Sequence, residues 1–114
     1  MTRDELIAKV YELCGWIVGQ GHGDHWIRRP DAMVMFSFRA SEVGLDRFVS
    51  DIVPVLNKRG WAMGLPRQWY NVGDGKPADP AWYATAFSVR TTATRNSTDP
   101  IEAAFAVALE VLGD

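Results

Sequence analysis

Residues 82–112 read WYATAFSVRTTATRNSTDPIEAAFAVALEVL, and two kinds of structure meet in them. Trp82 to Thr92 is rich in aromatic and β-favouring types, which suit a pleated, half-buried surface, so it predicts the strongest strand of the chain. Asp99-Pro100-Ile101-Glu102 then marks a helix start: an N-cap aspartate, proline at the first helical position and glutamate at N3. Ile101, Ala104, Phe105, Ala108, Leu109 and Leu112 recur at helical spacing, while Glu102 and Glu110 are the only charges between 101 and 112. On a helix those two glutamates lie about 80° apart, so the polar stripe is narrow. A helix of this kind is either buried in its own fold or covered by a second chain.

Upstream, Thr2 and Glu5 have the spacing of a capping box. Leu6, Val10, Leu13, Cys14 and Ile17 continue as one apolar stripe, predicting a first helix that Gly19, Gly21 and Gly23 bring to an end. Residues 19–25 then read as a loop and His25 to Arg29 as a short strand. Val34, Phe36 and Phe38 alternate with Met35, Ser37 and Arg39, predicting a strand over 33–39. Leu45, Phe48, Val49, Ile52, Val55 and Leu56 keep helical spacing within 41–59. Pro54 is tolerable only near a helix start, so the regular helix is expected at about 50–59 after an irregular turn. Gly60 stops it. Trp61, Met63 and Leu65 alternate as a strand that resumes at Trp69, Tyr70 and Val72 after Pro66, and residues 73–77 are a turn. Residues 61–92 thus form an antiparallel hairpin with a long connection. The order α-β-α-β-β-α, in one domain over 1–114, is an α+β architecture with an antiparallel sheet sandwiched or covered by helices.

Composition narrows the functional classes. The chain has 114 residues, 47% hydrophobic and 23% charged, with a net charge of −2. These are values of a globular protein, not a disordered one. The charge is too small for a dedicated nucleic-acid binder and too small for an acidic nucleic-acid mimic. One cysteine excludes an intramolecular disulfide and any zinc site that needs two thiols. No apolar run approaches the ~18 residues of a membrane span, and Met1-Thr2-Arg3-Asp4-Glu5 lacks a signal-peptide pattern, so a cytoplasmic protein is expected.

Four patches carry a family resemblance. Leu6 to Trp16, closing on Gly15-Trp16, Ser50-Asp51-Ile52 with the apolar run to Gly60, Trp82-Tyr83-Ala84-Thr85-Ala86-Phe87, and the alanine-rich Pro100 to Leu109 together resemble the phage ABA sandwich domain family. The long stretch Gly19–Arg29 and Pro54 depart from that family's pattern. The resemblance implies an α/β sandwich of phage or prophage origin. It implies no catalytic residues.

The remaining candidates are few. His22, Asp24 and His25 sit within four residues in a glycine-rich loop and could offer three ligands to a divalent metal; a solvated loop is the competing reading. Cys14 reads as a small core residue rather than a nucleophile. Gly73-Asp74-Gly75-Lys76 lacks the phosphate-loop pattern and is a turn, and Asp79 has no companion at catalytic spacing. The aromatics say more. Trp26, Trp69 and Tyr70 stand beside Arg28, Arg29 and Arg67, the residue types enriched in binding hot spots.

The expectation is therefore a non-enzymatic phage or prophage protein, without a cofactor, that binds a host or phage protein through Arg28, Arg67, Trp69 and Tyr70. An inhibitor of host defence, for example an anti-CRISPR protein, is its concrete form. Two alternatives stand beside it: a small metal-dependent enzyme using His22, Asp24 and His25, and a structural or regulatory homodimer joined by the 100–112 helix.

Overall fold

The computed structural model describes residues 1–21 and 23–113, with only the backbone described at Pro80. Helix α1 spans Arg3–Leu13, and Thr2 caps it as the sequence implies: its hydroxyl oxygen accepts from the Glu5 N–H at 3.2 Å. The helix ends earlier than the apolar stripe suggests. Gly15 adopts φ +92°, the Gly15 N–H donates to the Glu12 carbonyl and the Trp16 N–H donates to the Tyr11 carbonyl, both at 3.0 Å. These two bonds form a Schellman cap, which reverses the chain four residues before Gly19. The short strand expected at 25–29 is present as β2 (Asp24–Arg28), but residues 17–21, read as helix end and loop, pair with it as β1 (Ile17–Gly21) in a tight hairpin.

The segment 33–39 also departs from expectation. Val34–Phe36 is a 3-10 turn, and only β3 (Phe38–Arg39) pairs with β2. The reason lies in the residue types. Met33, Val34, Met35 and Phe36 are apolar at both parities, so no strand could bury one face and wet the other. Only Phe38 enters the core.

A helical stretch begins at α2 (Leu45–Arg47), widens into a π turn at Phe48–Ile52 and continues as α3 (Val53–Lys58). The irregular turn expected before Pro54 is this π turn. Proline offers no N–H and its ring clashes with the carbonyl four residues back. The Val53 N–H reaches the Phe48 carbonyl five residues back, and the wider turn makes the room. The helix therefore starts at 45 rather than 50. It closes as α1 does, on Gly60 at φ +85°, with the Gly60 N–H donating to Asn57 and the Trp61 N–H to Leu56.

The second sheet holds β4 (Ala62–Met63), β5 (Arg67–Tyr70), β6 (Pro77–Phe87) and β7 (Thr92–Ser97). The first two pair successively with one edge of β6, as a strand interrupted at Pro66 should. The other edge of β6 pairs with β7, a strand the sequence reading did not include. Helix α4 (Pro100–Leu112) follows, its N-cap Asp99 accepting from the Ile101 N–H at 2.9 Å.

The result is an α+β fold of two antiparallel sheets, β1-β2-β3 and β4/β5-β6-β7. Helices cover one face of each. In the second sheet Ala84, Ala86 and Ala93 are buried where β6 and β7 pack on α4, and Ala104 and Ala108 of α4 are buried too. Small side chains on both layers let helix and sheet approach closely. α1 packs on α4 and on β2, and Tyr11, Phe48, Ile52 and Phe105 fill the junction. Phe48 and Phe105 meet edge to face at 5.0 Å. The last helix is thus buried mainly within its own chain. No described helix is long and apolar enough to cross a membrane.

Candidate functional site

The structure separates the residues that the sequence set side by side. Asp24 and His25 are neighbours on β2, so their side chains point to opposite faces. Asp24 is engaged by Arg39, with Nε 3.7 Å from Oδ2. His25 carries a shielded Nδ1 with no hydrogen-bond partner among the described residues. His22 lies outside the described residues. Among those described, no three His, Cys, Asp or Glu side chains converge as a metal site would require.

Cys14 is half-buried at the end of α1. Burial pushes its thiol up to about 11, with Arg59 pulling the other way and Asp51 adding to the rise. At neutral pH such a group is a thiol, not a thiolate, and it serves packing. Its neighbour Tyr11 is fully buried and donates to Asp51 Oδ2 at 2.7 Å. Burial first, and the carboxylate second, hold the Tyr11 hydroxyl far above the ordinary tyrosine range. Asp51 also accepts from Ser50 Oγ at 3.2 Å and lies 3.6 Å from Arg47 Nη1. The π turn directs this carboxylate inward, where it ties α1 to the second helical stretch. Each partner is satisfied, which marks a structural clamp rather than a reactive group.

Arg67, Trp69 and Tyr70 share β5, where Arg67 and Trp69 take the Tyr83 side of the second sheet, its open side, and Tyr70, next along the strand, follows Gln68. The Trp69 ring meets Tyr83 at 4.5 Å, and the Tyr70 hydroxyl donates to Gln68 Oε1 at 2.6 Å. Trp69 is 48% exposed and Tyr70 57% exposed, so neither fills the core. Arg28 is not with them. It sits in the other sheet, where its Nη1 donates to the Ala32 carbonyl at 2.7 Å. That bond fixes the base of the connection between β2 and β3.

This connection holds the feature that sequence reasoning missed. Met33, Val34, Met35 and Phe36 are between 63% and 75% exposed, four consecutive large apolar side chains in solvent. They form a knuckle closed by two backbone bonds: the Phe36 N–H donates to the Met33 carbonyl at 2.9 Å and the Ser37 N–H to the Val34 carbonyl at 3.0 Å. Val34, Met35 and Ser37 border an apolar groove of about 460 Å³ against Trp26. The guanidinium of Arg39 covers the Trp26 ring at 5.1 Å. The signal was present in the sequence as an apolar run of both parities just after Pro30-Asp31. A run that no strand can bury on one face, close behind a turn signal, belongs outside.

Comparisons with protein-family models, with curated proteins and with solved structures return no match.

Proposed function

We propose that the chain is a non-enzymatic, phage- or prophage-encoded binding protein. It acts in the cytoplasm of a bacterial host by covering a working surface of a host or phage protein. Inhibition of a defence system, in the manner of an anti-CRISPR protein, is its concrete form. The observation that supports binding is the knuckle at 33–36. Its four side chains present roughly 500 Å² of apolar surface, the size of the largest patch a typical monomer leaves exposed. A standard interface takes about 800 Å² from each partner, so the knuckle can supply an apolar centre and its surroundings the polar rim. Methionine suits the role because its side chain adapts to an uneven partner. Arg28 fixes the knuckle from below, and the exposed Arg67, Trp69 and Tyr70 of β5 offer further contacts. The phage setting rests on the sequence resemblance.

The test is expression of the chain in a bacterium carrying an active CRISPR system, read as plaque formation by a targeted phage. The wild-type chain restores plaques, and the Val34→Ser/Met35→Ser variant does not. No restoration by the wild-type chain in hosts representing the main CRISPR types removes the inhibitor reading. Equal restoration by the variant removes the knuckle from it.

A further inference from the structure

We propose that two copies of the chain join edge to edge through β7, in register about Thr94, to make one continuous sheet. The first observation is how the sheet edges differ. β1 carries Gly19 and Gly21, β3 has two residues, and the β4/β5 edge is broken at Pro66 and shifts register between Gln68 and Tyr70. Glycine, proline, irregular register and shortness are the ways natural sheets discourage edge pairing. β7 has none of them. It runs for six residues in unbroken register with β6 and contains neither proline nor glycine.

The second observation is the direction of its backbone groups. The Ser88 N–H donates to the Thr91 carbonyl at 2.8 Å, which makes 88 and 91 a hydrogen-bonded pair. Antiparallel alternation then turns Ala93, Arg95 and Ser97 toward β6, and the N–H and C=O groups of Thr92, Thr94 and Asn96 away from it. Thr85 agrees: it lies opposite Thr94 and gives its carbonyl to the Gly64 N–H, on the far side of β6. Among the described residues no backbone group bonds to those of Thr92, Thr94 or Asn96 on the outer side.

A second copy fits this edge by its own symmetry. With Thr94 opposite the partner's Thr94, Thr92 faces the partner's Asn96 and the reverse. All three pairs are then hydrogen-bonded pairs, giving about six backbone bonds. A two-fold axis normal to the sheet puts both helix layers on the same side. There each copy carries an apolar groove of about 460 Å³, lined by Met1, Leu6, Ala106 and Leu109 with Arg95 and Glu110 at its rim. The axis brings the two grooves toward each other.

The third observation is charge. Arg95 Nη2 lies 3.2 Å from Glu110 Oε1, so each copy carries a partly exposed ion pair between β7 and α4. In this register the partner's Arg95 stands opposite Ala93, on the same face and beside Glu110. Two arginines then balance two glutamates across the axis.

Sedimentation velocity on the full chain tests the pairing, with Thr94→Pro as the probe. Proline there removes an N–H that points outward and leaves the backbone bonds to β6 intact, at the loss of the 3.1 Å hydroxyl contact between Thr94 and Thr85. The wild-type chain is expected to dimerise, and the variant to show at least about a tenfold higher dissociation constant with unchanged circular dichroism. A wild-type chain that stays monomeric to millimolar concentration overturns the proposal, as does a dimer that Thr94→Pro leaves intact, which places the contact elsewhere, the last helix included. If Thr94→Pro fails to fold, cysteine substitution in a Cys14→Ala background decides. Paired Cα atoms about 5.5 Å apart can be bridged. Thr94→Cys must then form an intermolecular disulfide, and Thr92→Cys, which faces the partner's Asn96, must not; equal or absent cross-linking at the two positions refutes the register.

Discussion

Replacing Tyr11 by phenylalanine isolates the clamp between α1 and the π turn. The ring keeps its surroundings: Trp16 edge-on at 5.0 Å, Phe38 edge-on at 5.6 Å and Phe105 at 6.1 Å. No cavity opens, because only the hydroxyl is lost. What disappears is a 2.7 Å hydrogen bond to a buried carboxylate, a class of bond worth about 1.5–3 kcal/mol. Asp51 retains Ser50 and the half-exposed Arg47, which compensate in part. A loss of about 2 kcal/mol follows, and for a chain of 114 residues it lowers Tm by about 8 °C. Thermal unfolding followed by circular dichroism measures it. Asp51→Ala should cost more, because it strands the buried Tyr11 hydroxyl and also removes the contacts to Ser50 and Arg47. In the double variant the two losses should fall short of additive by at least about 1 kcal/mol. A Tyr11→Phe shift under about 2 °C, or additive losses, would show that the π turn is held by packing alone.

Three further outcomes follow from the same geometry. Gly15→Ala should destabilise by about 1 kcal/mol from its left-handed φ alone, since nothing lies within 4 Å of the added methyl, whereas Gly19→Ala should not; urea titration separates them. Tyr11 and Cys14 both hold their protons more tightly folded than unfolded, so their stabilisation is full below the ordinary thiol value of 9.0 and declines as pH rises toward 11 and beyond. Urea midpoints measured from pH 7 to 11 should fall above pH 9, and a flat profile would contradict the burial of these groups. Native Cys14 should react with a thiol reagent at pH 8 at least about tenfold more slowly than the urea-unfolded chain, read from the absorbance of the released chromophore.

The sequence carried the helices and the long strands because capping residues and apolar spacing report local structure directly. The Asp99-Pro100 start, the Thr2 cap, the interruption at Pro66 and the irregular turn before Pro54 all stand in the structure. It misled where one glycine outweighed a longer pattern. Ile17 keeps helical spacing, but Gly15 can take a left-handed φ and ends the helix first. β7 is hard to read because TATRNS has no strong apolar alternation: one face meets α4 through Ala93, and the other is open. The surface was harder to read. Arg67, Trp69 and Tyr70 are exposed together, yet Arg28 belongs to the other sheet, a separation that adjacency in composition could not reveal. The knuckle at 33–36 looked like a core strand because hydrophobicity alone does not say which apolar run the fold leaves outside.

Affinity capture from bacterial lysate with three versions of the chain reaches the central claim most directly, with each recovered protein quantified by mass spectrometry. Wild type and a Lys9→Ala control should retain the same partner, while Val34→Ser/Met35→Ser should lose it and keep an unchanged melting temperature. Retention of that partner by the knuckle variant would place the working surface elsewhere on the molecule.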